Sequence, residues 1–347
     1  MAENVEQTQG ALGAPVSDRT RLTRSGRGGR VALPIGLIVI AILVPLVIGD
    51  AFTIGILTDS LVYVTLALSY DLSVGRVGAL SLAHPAFFGT GAYAAAIVAQ
   101  RLSLPLSLQV LIAIGSAIVL AVVIGIPAFR LSQLTFGMAT LGFALIAELV
   151  AENQIGLTNG PLCLSNLKTL HSGMLASLGA TVGEQQYYIF LLIAVCVAGL
   201  FWSLVRSRVG RAYTAVRDDE PMAMAAGLNP TGYRMSAFVI GAGVAGLLGA
   251  FYAHYLTVVC PTNLDISYTV NLLVILFLGG TGGFWGIIAA AFVFTAIPEA
   301  LQVAPNIRLI VYGAALLAGV MLFPEGFEGL AKDLRRRIRR HKGADNA

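Results

Sequence analysis

Charge is scarce in this chain: only 12% of its 347 residues are Asp, Glu, Lys or Arg. An ordinary soluble domain carries about twice that share, because its surface must be wetted. Hydrophobic residues make up 57% and the mean hydropathy is +0.82. They gather in runs of the length needed to cross a bilayer, about 20 residues. The shortage of charge therefore excludes an ordinary soluble protein and favours a polytopic membrane protein.

Sequence motifs typical of enzymes are also missing. Lysine occurs only at Lys168, Lys332 and Lys342, and none of these follows the glycine pattern of a phosphate-binding loop. The sequence contains no H-E-x-x-H, no G-x-S-x-G and no C-x-x-C. We therefore expect no enzyme, no resident cofactor and no metal site, and a role in moving a substance across the bilayer.

The hydrophobic runs predict an all-α membrane bundle of about ten spanning helices. A functional role is expected for the two longest loops between them, residues 152–186 and 206–234, since loops carry function more often than buried helices do. The predicted spans are Leu33–Gly49, Thr53–Tyr70, Val77–Val98, Leu106–Pro127, Gln133–Ala151, Tyr187–Val205, Ser236–Val258, Ser267–Gly279, Phe284–Leu301 and Arg308–Phe323.

Basic residues fix the expected orientation. With the N-terminus in the cytoplasm, all of the 22 Lys and Arg residues except Arg101, Lys168 and Arg308 fall on the inner side of ten spans. This predicts an inner-membrane protein with both termini cytoplasmic, a periplasmic loop at 152–186 and a cytoplasmic loop at 206–234. The arginine clusters near both ends directly adjoin hydrophobic segments, which favours this topology over nucleic-acid binding.

The two ends of the chain are predicted to be tails outside the bundle. Residues 1–32 are rich in Gly, Ser, Thr and Arg, which is typical of disorder. No A-x-A cleavage site follows the first hydrophobic run, so we interpret this segment as a basic cytoplasmic tail rather than a secretory signal. The transmembrane domain is predicted at 33–323, and residues 324–347 form a second basic cytoplasmic tail.

A short helix is predicted within the cytoplasmic loop, from Asp218 to Ala226. Asp218 can cap its start, and Asp219 and Glu220 place negative charge at the positive end of the helix dipole. Gly227 can end the helix, and Pro230 prevents it from resuming. A helix of two turns is not stable alone in water. It must either lie on its own bundle or meet a cytoplasmic partner.

Three carboxylates fall within predicted spans, at Asp59, Glu148 and Glu299, and Asp59 is the deepest. Such groups can mark an ion path, or they can hydrogen-bond a neighbouring helix. We interpret His84 and His254 as hydrogen-bonded packing residues.

Small residues indicate close packing in two places. Gly241, Ala245 and Gly249 recur at every fourth position, which lets helices approach closely in lipid. Between two later spans, the glycines of 279–283 predict a tight reversal of the chain that could also line a cavity.

Cys163, Cys196 and Cys260 show no metal-site spacing. The predicted topology places Cys163 and Cys260 on the oxidising side of the membrane, where disulfides persist. The sequence permits a bond between them but favours two cysteines that pack apart.

Several segments, in order, resemble the LivM-like permease subunits of the branched-chain amino acid ABC transporter family. The resemblance covers roughly Thr53 to Phe327 and is carried by Ser81–Tyr93, Arg211–Gly227, Leu278–Gly286 and Arg308–Gly313. It implies a LivH-like permease subunit, two cytoplasmic ATPase subunits and a periplasmic substrate-binding protein as partners, with membrane lipid around the bundle and no nucleic acid. Pro221 and Met222 depart from it, since more polar residues are expected there.

The resemblance also implies roles for particular residues. The cytoplasmic helix becomes a coupling helix that docks on an ATPase, through Arg217, Asp218, Asp219, Glu220, Ala223, Ala226 and Gly227. A translocation path is expected to include Asp59, His84, Tyr93, Gly280, Thr281 and Gly282. Two alternatives stay open: a urea or amide permease of the same family, and an ion-coupled secondary carrier acting alone.

Overall fold

A computed structural model describes residues 36, 39–45, 49–170 and 181–300, with side chains as far as residue 296. The predicted span Arg308–Phe323 and both predicted tails lie outside the described residues, and so does most of Leu33–Gly49. Residues 39–45 are helical and belong to a compact unit that ends at residue 47. Everything below concerns the second unit, which begins at residue 48.

Helices are the regular secondary structure of the second unit in its described part, apart from one isolated backbone bridge between two loops. A π-helical turn, Leu72–Arg76, continues the first helix. The described α-helices of six residues or more in this unit are α1 (Ala51–Asp71), α2 (His84–Leu102), α3 (Leu106–Ala128), α4 (Gln133–Asn153), α5 (Val182–Arg206), α6 (Arg208–Asp218), α7 (Glu220–Ala225), α8 (Pro230–Leu256), α9 (Ile266–Gly279) and α10 (Phe284–Ala300).

Six helical segments in the described part of the chain are long and apolar enough to cross a membrane. They are Ala51–Arg76, α3, α4, α5, α8 and Pro261–Gly279, and α10 is a shorter apolar helix. The all-α membrane bundle is therefore confirmed, whereas the total of about ten spans stays a prediction.

Some predicted helix ends were wrong, each for a local reason. The span expected from Val77 begins only at His84, because the Tyr70 hydroxyl and the Thr140 hydroxyl bond the backbone of Ser81 and Leu82 instead. At α5 the helix starts five residues before Tyr187, where Thr181 and Glu184 cap it reciprocally. Hydrogen bonds from side chains to the backbone, in the loop before α2 and at the cap of α5, outweigh the apolar pattern in deciding where these helices begin.

The bundle is centred on α8, which packs against α2 and α3. A Cβ atom at Gly249 would lie 2.1 Å from the carbonyl oxygen of Phe88, and one at Gly91 would lie 2.4 Å from the carbonyl oxygen of Gly246. The small residues of α8 therefore pack helices closely, as predicted. By contrast, α3, α4 and α5 expose many large apolar side chains, such as Leu111 and Leu192, which suits contact with lipid.

Candidate functional site

The predicted cytoplasmic loop contains two helices, α6 and α7, where one was expected. Asp218 is the last residue of α6 and does not cap α7. Asp219 separates the two helices with an extended backbone, so its carboxylate can accept from the Met222 N–H, at 2.9 Å. This geometry is what an N-cap requires, so the cap falls one residue after the predicted one.

The end of α7 is the predicted glycine stop. Gly227 has a left-handed backbone, with φ of +83°. Its N–H donates to the Met224 carbonyl at 2.9 Å, and the Leu228 N–H donates to the Ala223 carbonyl at 3.0 Å. These two bonds satisfy carbonyls that a helix end would otherwise leave open. The helix is thus defined at both ends although it has only six residues.

The two faces of α7 differ in exposure. Ala223 is 3% exposed and packs against the rest of the chain, whereas Met222 is 70% and Met224 is 54% exposed. The helix therefore lies on its own bundle through Ala223, and its two methionines are exposed, so contact with a partner stays a prediction. Flexible methionine side chains suit such a contact surface.

Ion pairing and hydrogen bonding join α7 and α6 to the start of α8. The Arg234 guanidinium donates to both carboxylate oxygens of Glu220, at 3.0 and 2.8 Å. Nearby, the Tyr213 hydroxyl lies 2.9 Å from that of Ser236, and its ring packs on Tyr233. Burial raises the pKa of the Tyr213 phenol, so it remains neutral there. Displacing α7 must therefore disturb the first turns of α8.

A buried carboxylate, Asp71, connects three segments at this end of the bundle. It accepts from the Arg76 Nε at 3.1 Å and from the Gly282 backbone N–H at 2.8 Å. Arg217, from the last turn of α6, donates to the Gly75 carbonyl of the π-helical turn. We call these five residues the Asp71 cluster. Asp71 is not among the residues predicted from the sequence, although an acid at the end of a span, followed five residues later by an arginine, is a signal that indicates such a pair.

The glycine-rich segment between α9 and α10 forms a tight turn. This confirms the predicted chain reversal, whereas the suggestion that it also lines a cavity stays a prediction. Gly280 and Gly282 have φ values of +87° and +79°, which favour glycine. The Gly283 N–H donates to the Gly280 carbonyl at 2.8 Å, and Thr281 is exposed at the tip. Through Gly282 this turn belongs to the Asp71 cluster, so its residues lie at the α7 end of the bundle.

The other three expected path residues lie elsewhere and do not meet one another. His84 is buried, with its Nε2 2.8 Å from the Ser69 hydroxyl. Tyr93 is buried in an apolar cluster with Leu164 and Val259. Asp59 is half-buried on α1. The six residues predicted to line a path therefore fall into separate places, and their roles stay predictions.

His254 is a hydrogen-bonded packing residue, as predicted. Its two ring nitrogens lie 2.8 Å from the Lys168 carbonyl oxygen and 2.6 Å from the Gln109 side-chain oxygen. The His84 contact with Ser69 confirms the same interpretation for that residue.

Cys163 and Cys260 form a disulfide, with their Cα atoms 4.5 Å apart. The expectation that they pack apart was wrong. Leu164 and Val259 exchange two backbone hydrogen bonds of 2.9 Å, and this pairing brings the neighbouring cysteines together. Cys196 is a free, exposed thiol on α5.

Counting thiols tests this bond. Under denaturing, non-reducing conditions, alkylation is expected to add one adduct per chain, at Cys196, because the other two sulfurs are bonded to each other. After reduction it should add three. Intact-mass measurement decides the matter, and Cys196→Ser serves as the control that removes the first adduct. Three adducts without reductant would show that the bond is absent.

A family model described as "Branched-chain amino acid transport system / permease component" matches residues 52–321. No solved structure matches.

Three curated relatives are high-affinity branched-chain amino acid transport system permease proteins. LivM of Escherichia coli is 26% identical, over 84% of this chain and 73% of its own length. LivH of Escherichia coli is 25% identical, over 77% of this chain and 91% of its own. BraD of Pseudomonas aeruginosa is 24% identical, over 66% of this chain and 78% of its own. Because the family match spans most of the chain and covers α1 through α10 except for the first residue of α1, this multi-pass inner-membrane protein belongs to the family of branched-chain amino acid transport permeases.

Proposed function

We propose that the chain is the LivM-like permease subunit of an ABC importer for branched-chain or related small amino acids. It forms the translocation path with a LivH-like permease, two separate ATPase subunits supply the energy, and a periplasmic binding protein delivers the substrate. The observation that carries this proposal is α7, an anchored helix that exposes Met222 and Met224. Relatives named LivM and LivH both match, which supports a pair of permease subunits.

We also propose that α7 lies on the cytoplasmic side and that both termini lie there too. Two independent features support this orientation. Basic residues concentrate at 206–234, on the side expected to be cytoplasmic. The disulfide between Cys163 and Cys260 joins the loops after α4 and α8, at the opposite ends of the helices, where an oxidising compartment maintains it.

Two alternatives are separated from this proposal by simple observations. A urea or amide permease of the same family would share the architecture and differ in the compounds taken up. An ion-coupled secondary carrier would use Asp59 and would transport without ATPase subunits. Uptake that requires ATP and persists after ion gradients are collapsed supports the importer over the carrier.

Substitution of Met222 gives the most discriminating test of whether α7 couples the chain to an ATPase subunit. In the complete transporter, Met222→Asp is expected to lower ATPase association at least about tenfold, because an unpaired charge in a packed apolar contact costs 1.4 kcal/mol or more. Pull-down and substrate-stimulated ATP hydrolysis measure the effect.

The matched control is Met222→Leu, which keeps an apolar side chain of similar size. It should associate and hydrolyse ATP like the parent. Ala223 is a poor test site, because it is buried in the chain and a large residue there would disturb folding. If Met222→Asp assembles and transports like the parent, α7 is not the coupling contact.

A further inference from the structure

Three exposed arginines lie where α5 meets α6. Arg206 ends α5, Arg208 begins α6, and Arg211 lies three residues later. The chain contains no Asp or Glu from residue 185 to residue 217, so this basic stretch has no acid of its own. We call Arg206, Arg208, Arg211 and the neighbouring Trp202 the α5–α6 corner.

None of the three arginines pairs with a carboxylate of the described residues. The ion pairs found there involve Arg76 and Arg234 instead. Arg211 donates to the backbone carbonyl of Arg206 at 3.3 Å, which is a neutral acceptor. The corner therefore carries three positive charges that the described part of the chain does not neutralise.

The fold of α6 gives no reason for two of these charges. A helix dipole is positive at the N-terminus, where cations are unfavourable. Arg208 and Arg211 nevertheless lie in the first turn of α6, whose start is capped by the Ser207 hydroxyl at 3.3 Å from the Gly210 N–H. An anion held near this turn would offset the repulsion.

Trp202 joins the corner to a group of aromatic rings. The Arg206 Cζ lies 3.8 Å from the centroid of the Trp202 ring, which is a cation–π contact. The same ring packs against Phe284 and Trp285, at the start of α10, with centroids 5.0 and 6.0 Å away. Tryptophan is enriched at the level of lipid headgroups. These rings therefore indicate that the corner lies at the membrane surface.

One face of α5 leads directly to the corner. Its residues recur every three or four positions, as neighbours on one side of a helix do. Each of them is exposed, so the described part of the chain leaves this face uncovered, and only the last one is charged. The face consists of Leu192, Cys196, Gly199, Leu200, Ser203 and Arg206.

An anionic phospholipid matches both parts of this surface. Its acyl chain fits an uncharged helix face, and its phosphate accepts hydrogen bonds from guanidinium groups, whose donors form a planar fork. An acidic partner protein would need the arginines but not the face. An apolar partner helix would need the face but not the arginines. The two features together favour a lipid.

We propose that the α5–α6 corner binds the headgroup of an anionic phospholipid, whose acyl chain lies along the exposed face of α5. With the orientation proposed above, this lipid belongs to the cytoplasmic leaflet, where basic residues next to a spanning helix attract negatively charged lipids. The headgroup holds the start of α6 at the membrane surface. Because α6 leads directly into α7, the lipid also steadies the proposed coupling helix.

The tryptophans of the chain can report this lipid. The chain contains two, Trp202 and Trp285, and their rings pack against each other. The full chain is reconstituted in phosphatidylcholine vesicles with a small, equal fraction of either brominated phosphatidylglycerol or brominated phosphatidylcholine. Bromine on an acyl chain quenches tryptophan fluorescence on contact, so the quenching measures which lipid lies next to the rings.

Brominated phosphatidylglycerol is expected to quench severalfold more than brominated phosphatidylcholine, and sodium chloride should reduce the difference because it screens the charges. Arg208→Gln/Arg211→Gln should abolish the difference while leaving Trp202 and its ring contacts in place. The matched control, Arg101→Gln/Arg130→Gln, removes two exposed arginines elsewhere and should preserve it. Equal quenching by both lipids in the parent chain would overturn the proposal, and so would a preference that survives Arg208→Gln/Arg211→Gln.

Inorganic phosphate separates a lipid from a free anion. If it removes the preference for phosphatidylglycerol and sodium chloride of the same ionic strength does not, the corner binds free anions and the proposal is wrong. If the two salts act equally, the lipid remains the ligand.

A second measurement uses the complete transporter, in which partner subunits are present. Mass spectrometry counts the phosphatidylglycerol molecules that stay bound after purification in mild detergent. The parent complex is expected to retain one more than the complex with Arg208→Gln/Arg211→Gln. Equal retention would mean that a partner subunit covers the corner, which overturns the proposal. Neither measurement depends on amino acid uptake, so the proposed function is tested separately.

Discussion

Gly249→Ala is expected to destabilise the bundle severely, although it adds a single methyl group. The new Cβ would lie 2.1 Å from the Phe88 carbonyl oxygen and 2.8 Å from the Ala92 backbone nitrogen. Both atoms belong to the backbone of α2, so no side chain can rotate away and the two helices must separate. Overpacking typically costs about 1–3 kcal/mol and occasionally more, and an overlap between two backbones belongs at the upper end of that range. Thermal unfolding of the purified chain in detergent, followed by its loss of monodispersity, measures the change.

Gly199→Ala is the matched control. Gly199 lies on α5, and a Cβ there would meet nothing within 4 Å. Since alanine favours a helix over glycine by about 1 kcal/mol, this variant should melt at or slightly above the parent temperature. The same substitution is thus expected to lower the melting temperature at one helical glycine and to leave it equal or slightly higher at the other. Equal melting temperatures for the two variants would show that α2 and α8 do not pack as closely as described.

Asp71→Asn is expected to cost at least as much, for an electrostatic reason. Asp71 is 4% exposed, and its carboxylate neutralises Arg76 and binds the Gly282 N–H. Removing one partner of a buried ion pair leaves an unpaired charge, which costs about 3–5 kcal/mol. The variant should melt at a lower temperature. It should also lose most uptake, because the Asp71 cluster joins α6, which directly precedes α7, to the π-helical turn after α1 and to the turn after α9.

Two further variants make this prediction specific. Asp50→Asn changes an exposed carboxylate at the opposite end of the same helix, where asparagine can still cap it, so little effect is expected. The double variant Asp71→Asn/Arg76→Gln removes both charges and should recover part of the stability lost in the single variant. A double variant that is less stable than the sum of the two single changes would contradict the ion-pair explanation.

Local features of this fold could be predicted from the sequence. Long apolar runs determine most of the spanning helices, and Gly227 and the 279–283 glycines mark the chain reversals because left-handed backbone favours glycine. Helix starts were less predictable. The starts of α5 and α7 depend on which Thr or Asp side chain accepts a hydrogen bond from the first turn of the helix. Adjacent residues such as Asp218 and Asp219 are equally good N-cap candidates when only the sequence is considered.

Features that depend on distant residues could not be predicted. Asp71 meets Gly282 across 211 positions, and Cys163 meets Cys260 across 97. Neither pairing leaves a periodic signal in one sequence, because only the packing of intervening helices brings the partners together.

The pairing of Cys163 with Cys260 has a consequence for how the protein is made. The chain emerges from the ribosome in order, so Cys260 is synthesised only after α5, α6, α7 and α8. Until α8 has been inserted, Cys163 has no native partner and waits as a reduced thiol. The bond can therefore stabilise α1 to α8 only after they have been inserted, and it cannot guide the insertion of these helices. If Cys163 were oxidised before α8 is inserted, it could no longer pair with Cys260, and the permease would remain incompletely assembled.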